Sequence, residues 1–467
     1  MKNIPAPDST TLDSGASVSV ELDSGVNAPA TPATSGAKPL LPAPAAALLL
    51  IAPYLALSVV GPTEANVPET LACLGIAFAV YWFGCVNSRF GLNANRVLIL
   101  GLILRLCLVP MPPSDDMHRF LWEGKILGYG FNPFTLSPES PVLAHLRDAN
   151  WGLVNHPDLP TLYPPLAQAV FWLLAKIGNS ITVFKIGFLI FDILGFFALH
   201  SLLRKKFGPQ SGFAPAPHDV GARILAVYFL NPLLIFEIAG HGHFESLPIL
   251  LNLLFMGALL ARKGWAPALL GMGAMAKISS LALAPLVLLS MGWKRALIWG
   301  AALGTIVGGS LWAVGAFSVL GKFATRFRFN TALPSLLDSA LPFLSGDVRR
   351  NLSMALFGLT CLVCLRVFRR EAPERQALWF MGLLLLFSPT LHPWYLLWAL
   401  PFAALCQSRP WLLLTGTVLI TYEVYGRAHV TGHWHENPWL RLPEFLPPLF
   451  LWLYLRGRKL RAFRSDF

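Results

Sequence analysis

The sequence predicts an all-α polytopic membrane protein, and three observations lead to that prediction. The chain has 467 residues, of which 55% are hydrophobic and only 13% are charged. Its mean hydropathy is +0.57, whereas a soluble chain of this length needs far more charge on its surface. Apolar runs of about helix-spanning length recur, without the alternating pattern of an outer-membrane barrel. The net charge of +12 sits mostly in short loops, where Lys and Arg fix orientation, so it does not indicate a nucleic-acid partner.

The N-terminal part of the chain divides into a tail and a hairpin. Residues 1–40 are rich in Ser, Thr, Pro, Ala and Gly and have no apolar period, which predicts a disordered cytoplasmic tail. Segment 41–95 is predicted to be an N-terminal transmembrane hairpin with apolar runs at 42–60 and 69–86. A third run, 97–110, then leads into an unusually polar stretch that contains Asp115, Asp116, His118, Arg119, Glu123 and Lys125.

Positive loops give the topology of the rest of the chain, 96–467. Placing the Lys and Arg clusters inside puts the loops 111–164 and 318–350 outside. The run 166–178 is short and is interpreted as a juxtamembrane or re-entrant helix. Lys277 interrupts a long apolar segment, and two short spans meeting at Lys277 are favoured because an unpaired Lys at mid-bilayer costs ~3 kcal/mol or more. The pattern predicts about 14 spans with both termini cytoplasmic.

The adjacent carboxylates Asp115 and Asp116 are the first candidate site. At the bilayer surface such a pair can act as a base or hold a metal or a cationic group. An ordinary polar loop is one alternative, and a structural ion pair of Asp116 with Arg119 at i, i+3 is another. Within a later span, Asp192 must face the bundle interior, and Lys185 is its predicted structural partner.

The other candidates lie in further outer loops. His241, His243 and Glu245 offer plausible metal ligands, with exposed loop imidazoles as the alternative. Arg326 and Arg328 can clamp a phosphate, because guanidinium matches phosphate oxygens and stays charged.

The order of several motifs resembles a known family. The pattern D-x-x-R-[FY]-x-W-[DE]-G, followed by G-x-N-P-[FY], is formed here by Asp116, Arg119, Phe120, Trp122, Glu123, Gly124, Gly130, Asn132, Pro133 and Phe134. Further along come Tyr163-Pro164-Pro165-Leu166, Asn231-Pro232, Glu237, Gly242-His243-Phe244-Glu245, Lys277 and His392-Pro393-Trp394-Tyr395. This series is similar to GT-C glycosyltransferases that use a polyprenyl-phosphate sugar, particularly the mannosyltransferase-like branch.

The resemblance implies an integral-membrane glycosyltransferase. It would have a GT-C-like bundle with a periplasmic first-loop active site, in a bacterial inner membrane. It would move a hexose, with mannose favoured, from a polyprenyl-phosphate donor to a hydroxyl of a periplasm-facing glycan, lipid or protein, with inversion at the sugar carbon. Asp116 matches the family's base, and Asp115 either assists it or acts itself. The expected substrate-binding residues are Arg119, Glu123, Tyr163, His243, Glu245, Lys277, Arg326, Arg328, His392, Trp394 and Tyr395.

Two departures from the family and two alternative functions remain. Glu123 and Glu245 stand where the family has aspartate, and the hairpin 41–95 has no counterpart in its core pattern. A transporter or flippase of lipid-linked sugars is the alternative function, although it would place ionisable residues at mid-membrane between inverted repeats. A non-catalytic scaffold gives no reason for the one-sided clustering of charges. The motifs imply no particular cofactor, and a divalent metal is left open.

Overall fold

The structure is a computed structural model that describes residues 41, 43–212, 214, 219–317, 319, 321 and 327–465. It is 75% helical and has no strand among those residues, which confirms the all-α prediction. The predicted disordered tail, 1–40, lies outside the described residues.

The bundle is built from α-helices of very unequal length. The first are α1 Ala43–Val60, α2 Val67–Tyr81, α3 Ala94–Leu108, α4 Asp115–Gly128, α5 Pro165–Ile177, α6 Ile181–Phe207, α7 Val220–Phe229, α8 Pro232–Ile235, α9 Ser246–Leu260 and α10 Ala266–Ala276. They are followed by α11 Ala284–Met291, α12 Trp293–Leu303, α13 Gly309–Ala313, α14 Leu333–Ala340, α15 Gly346–Val367, α16 Pro373–Phe387, α17 Leu400–Leu405, α18 Arg409–Thr417, α19 Glu423–Thr431 and α20 Arg441–Ser465.

Tighter and wider helical turns connect these helices. The 3₁₀ turns are Pro141–Leu146, Trp151–Leu153, Ile278–Leu283, Pro393–Trp398, Val418–Tyr422 and Pro438–Leu440. The π turns are Trp82–Val86, Phe236–His241 and Gly304–Gly308.

Few of the helices are long enough to cross a membrane alone. In the described part of the chain, four pass on length and composition, namely Val67–Val86, Ile181–Phe207, Trp293–Ala313 and Gly346–Val367. A fifth is added if Val220–Phe229 and Pro232–His241, bent by 46°, form one span. The predicted count of about 14 spans is therefore not confirmed. The α5 helix has 13 residues and is about 20 Å long, which fits the predicted juxtamembrane or re-entrant segment.

The break between α7 and α8 has a clear local cause. Pro232 cannot donate a backbone hydrogen bond, and Asn231 before it is extended. The Asn231 side chain accepts from the amide of Leu233 at 3.0 Å and donates to Thr415 Oγ1 at 2.9 Å. The chain then widens into the π turn Phe236–His241, which contains Glu237.

Lys277 interrupts the helical structure at the predicted position. Helix α10 ends at Ala276, and Lys277 is extended, with φ −156° and ψ 125°. The 3₁₀ turn Ile278–Leu283 and helix α11 follow. Two short helical segments therefore meet at Lys277.

The buried ion pair inside the bundle differs from the predicted one. Asp192 on α6 accepts from Arg105 Nε on α3 at 2.5 Å, and both side chains are 1% exposed. The predicted partner, Lys185, instead donates to the carbonyls of Val109 and Met111 at 3.2 and 2.6 Å. Two helical turns separate Lys185 from Asp192 by about 10 Å, so they share a helix face without reaching each other.

The N-terminal hairpin is packed into the same compact unit as the rest, Lys38–Phe467. Residues from both of its helices, such as Tyr54 and Tyr81, belong to the main core. Tyr81 Oη donates to the carbonyl of Val227 at 2.8 Å. The division of the chain into 41–95 and 96–467 stays a prediction.

Candidate active site

The paired carboxylates lie in the first turn of α4, where negative charge is favoured by the helix dipole. Ser114, just before the helix, donates through its amide to the carbonyl of His241 at 3.0 Å. This bond ties the start of α4 to the end of the π turn. Two regions that are far apart in sequence thereby meet at Asp115 and Asp116.

A single amide bridges the two carboxylates. Asn155 Nδ2 donates to Asp116 Oδ1 at 2.7 Å and to Asp115 Oδ2 at 3.3 Å. Asp115 keeps contact with solvent. The surrounding protein nevertheless raises its pKa to about 6, because the carboxylate is partly desolvated and stands beside Asp116. Asn155 was not among the predicted site residues, because its role depends on a contact 39 residues away in sequence.

The imidazole of His243 lies behind Asp116. Its Nε2 is 3.7 Å from Asp116 Oδ2, and its Nδ1 is 2.9 Å from Glu237 Oε2. The ring is 1% exposed, so the alternative of exposed loop imidazoles is wrong for His243. Gly242 allows the backbone to place His243 here, because its φ of +78° is a left-handed conformation that suits glycine. A Cβ on Gly242 would lie 2.2 Å from Met117 Cε.

Glu237 anchors a buried polar network. His241 Nδ1 lies 3.3 Å from its carboxylate, and Tyr422 Oη donates to the other oxygen. His241 Nε2 lies 3.0 Å from the hydroxyl of Thr63 in the loop of the N-terminal hairpin. The ligand atoms of Glu237, His241 and His243 all lie within 4.8 Å of one another, so this group could hold a metal ion. The sequence motifs included Glu237, whereas Thr63 and Tyr422 carried no signal.

Aromatic rings extend from His243 toward Phe329, which lies in the predicted outer loop 318–350. Trp394 stacks on His243 with ring centres 3.9 Å apart, and His392 stacks on Trp394 at 4.4 Å. Phe329 continues the stack on His392 at 4.7 Å. Burial lowers the pKa of His392 to about 4, so this imidazole is neutral near pH 7. The predicted residues His392 and Trp394 are thus joined to His243.

A second group of predicted residues surrounds Lys277. Its ammonium pairs with the carboxylate of Glu245, which also accepts from Trp398 Nε1 at 2.6 Å. The ammonium lies 5.2 Å from the ring centres of both Tyr395 and Trp398. Glu245 is therefore held in a bonded cluster, and its role in binding substrate stays a prediction.

Arg119 and Glu123 pair with each other. Arg119 Nε donates to Glu123 Oε1 at 2.8 Å, so the alternative ion pair of Arg119 with Asp116 is wrong. Glu123 Oε2 also accepts from Thr161 and Gln168, at 2.8 and 2.6 Å. Arg119 Nη1 donates to the carbonyl of Asn155 at 3.0 Å, which links this network to the carboxylate pair.

The remaining predicted residues are Tyr163, Arg326 and Arg328. Tyr163 packs edge-on against Phe120, with ring centres 4.9 Å apart. Arg328 is half exposed and pairs with Asp338 on α14. Arg326 lies outside the described residues. The predicted outer loop 318–350 contains α14 and the start of α15.

Comparison with known proteins gives a match at the level of one domain. The family model of the MptB C-terminal domain matches residues 337–424, less than a fifth of the chain. MptB is a mycobacterial GT-C α-1,6-mannosyltransferase. The matched segment includes His392, Trp394 and Tyr422 and leaves out α4, so it supports a mannosyltransferase-like GT-C relationship for that domain only. No curated protein matches the chain.

Proposed function

We propose that the chain is a membrane glycosyltransferase that moves a hexose from a polyprenyl-phosphate donor to a hydroxyl of a periplasm-facing glycan, lipid or protein. Mannose is the hexose that we favour. The domain-level match supports the class of enzyme. The observation that carries the proposal is the carboxylate pair Asp115 and Asp116, held by Asn155 and backed by a buried histidine.

The chemistry follows from that pair. As the acceptor oxygen attacks the anomeric carbon, a carboxylate takes the hydroxyl proton. The bond between that carbon and the phosphate oxygen breaks, and its electron pair leaves with the phosphate. Attack from the opposite side inverts the configuration. Asp116 is the first candidate base by its motif position, and Asp115 is the second.

Cationic groups are available for the phosphate. Arg328 is half exposed, and its pair with Asp338 is of the exposed kind that contributes little and can exchange partners. Lys277 lies beside Tyr395 and Trp398, which are also potential sugar-stacking rings. We propose that these residues bind the donor, together with the other substrate-binding residues that the motifs predict.

Donor profiling of the purified protein tests the function. Radiolabelled polyprenyl-phosphate mannose should transfer label to a glycan, lipid or protein acceptor. Asp116→Asn and Asp115→Asn remove one carboxylate each, and loss of the base should lower the rate by about 10²–10⁴-fold. Asp148→Asn is the matched control, because Asp148 lies in the same loop but pairs with Lys125 at the surface. Equal, small losses in all three variants would place the base elsewhere.

The proposed inner-membrane orientation puts the loop 111–164 in the periplasm and both termini in the cytoplasm. Leu153, in the first outer loop, is 58% exposed and suits a single-cysteine label once the six native cysteines are replaced. Labelling of intact cells should modify position 153 and spare position 205. The reverse pattern would overturn the orientation.

A transporter or flippase of lipid-linked sugars is the second candidate. The buried pair Arg105 and Asp192 favours it, since transporters place ionisable residues between spans. Arg105 also donates to the carbonyl of Phe229 at 3.0 Å, which locks the pair into the bundle. A transporter moves the labelled lipid across a proteoliposome without forming a glycosidic bond, so label in the acceptor would exclude transport as the sole activity.

A further inference from the structure

One buried nitrogen in the site lacks a hydrogen-bond partner. His243 Nε2 is fully buried and has no hydrogen-bond partner among the described residues. It faces Asp116 Oδ2 across 3.7 Å, which is too long for a hydrogen bond. Both atoms belong to groups that normally bind protons or metals. The space between these two atoms is therefore a candidate binding position for a proton or a metal ion.

The hydrogen bonding of the ring indicates what Nε2 presents. A carboxylate only accepts hydrogen bonds, so Nδ1 at 2.9 Å from Glu237 carries the proton. In the neutral ring, Nε2 then presents a lone pair toward another carboxylate. Two acceptors that face each other repel unless a cation lies between them or the ring takes a second proton. That proton would still lack a hydrogen bond to Asp116, because 3.7 Å is too long for one.

The distance fits a metal ion. Imidazole nitrogen and carboxylate oxygen bind a divalent metal at about 2.0–2.2 Å, which puts two tetrahedral ligands about 3.4 Å apart. The gap of 3.7 Å between His243 and Asp116 needs to close by only a few tenths of an ångström.

The surroundings of His243 resemble those of a metal ligand. Ligating histidines almost always donate their other N–H to a carboxylate or carbonyl, as His243 does to Glu237. Trp394 stacks on the ring and holds its plane. On the other side, Asn155 occupies Asp116 Oδ1 and leaves Oδ2 facing the histidine.

The deeper group of Glu237, His241 and His243 is a poorer position for the ion. Its facing atoms are already joined, because both Nδ1 atoms lie 2.9–3.3 Å from Glu237 Oε2 and Tyr422 bonds the other oxygen. His241 Nε2 also has a partner, the hydroxyl of Thr63. His243 Nε2 is the ligand atom of the group that remains unpartnered.

We infer that a divalent transition-metal cation of the Mn²⁺ or Zn²⁺ class binds between Asp116 Oδ2 and His243 Nε2, with Glu237 fixing the ring. A mixed set of imidazole and carboxylate selects such metals over Mg²⁺, which prefers oxygen ligands. The ion's remaining positions would be filled by water or by a phosphate oxygen of the donor, a role that rests on the proposed function. With Asp116 bound to the ion, Asp115, the second candidate base of the proposed function, would accept the proton of the acceptor.

Metal binding can be measured without any activity. Purified full-length protein is stripped with a chelator, dialysed and titrated with Mn²⁺, and free Mn²⁺ is read by electron paramagnetic resonance. Elemental analysis gives the metal content before stripping. We expect about one Mn²⁺ or Zn²⁺ per chain, with Mn²⁺ affinity reduced at least 10-fold in Asp116→Asn and His243→Gln. Glu237→Gln should weaken it by about 10–100-fold, the usual effect of losing the group behind a metal ligand.

Asp148→Asn is the control that leaves Mn²⁺ affinity unchanged, and size-exclusion chromatography shows which variants fold. If the folded wild-type protein binds neither metal, the inference is wrong, and chelator-resistant transfer would then leave the proposed function standing. Binding of similar strength in wild type and all variants also overturns the inference, because the ion would lie elsewhere. If metal binds at this site but no polyprenyl-phosphate sugar is transferred, the proposed function is wrong and the inference of a metal site stands.

Discussion

Replacing Arg119 tests whether this residue shapes the site or binds substrate. In Arg119→Ala, Glu123 loses its cation while remaining 1% exposed. The carbonyls of Asn155, His156 and Leu159 lose the donors that now lie 2.6–3.1 Å away. The variant should therefore disturb both the stability of the protein and the loop that carries Asn155.

The expected size follows from the burial of the pair. Breaking a buried ion pair by removing one partner costs about 3–5 kcal/mol, because the other charge is left buried and unpaired. Thr161 and Gln168 still donate to Glu123, so the lower end of that range is expected. Turnover should also fall, because the amide of Asn155 bridges the two carboxylates.

A double variant separates the two effects. Arg119→Met with Glu123→Leu removes both charges, and apolar replacement of a whole buried pair is often neutral for stability. Its free energy of unfolding should recover toward wild type while turnover stays low, since Asn155 remains unsupported. Lys125→Ala is the control on the same helix, because its pair with Asp148, whose side chain is 40% exposed, should contribute only about 1 kcal/mol.

The measurements are thermal unfolding in detergent and label transfer from the donor. If Arg119→Ala loses transfer at an unchanged unfolding midpoint, the residue acts on the substrate, as its motif position predicts. A stable variant with normal transfer would refute both roles.

Two further predictions concern contacts that hold the bundle and the site. Asp192→Asn leaves Arg105 buried without a counter-charge, so the free energy of unfolding should fall by about 3–5 kcal/mol, while the KM for donor in the folded fraction stays unchanged. Thr63→Val removes the hydroxyl beside His241 Nε2, which should cost about 1–3 kcal/mol and lower turnover, whereas Thr63→Ser should restore both. Wild-type turnover in Thr63→Val would separate the N-terminal hairpin from the site.

The features that sequence predicted correctly are local. The low charge and recurrent apolar runs depend on composition, and they give an all-α fold with membrane-type helices. The break at Lys277 is also local, because an ammonium inside an apolar segment leaves few alternatives. The number of spans could not be predicted in the same way. Pro residues, Gly residues and π turns divide the apolar runs into short helices, and a hydropathy window does not detect these divisions.

The pairing of charges required the third dimension. Asp192 shares a face of its own helix with Lys185, yet its partner comes from α3, 87 residues earlier. Arg119 had carboxylates at i−3 and i+4, and spacing alone cannot choose between them. Glu123 prevails because Asp116 is turned toward Asn155 and His243, which approach from other parts of the chain.

The role of the N-terminal hairpin is the point on which the structure departs most from the interpretation of the sequence. By resemblance, 41–95 is an addition to a GT-C core, and nothing in its composition suggests contact with the site. In the structure, its loop places Thr63 against His241, whose Nδ1 shares one carboxylate oxygen of Glu237 with His243. That shared oxygen sets which nitrogen of His243 faces Asp116. A segment that the resemblance treats as an addition therefore contacts the hydrogen-bond network of the proposed site, so a test of donor or metal preference in this chain should include it.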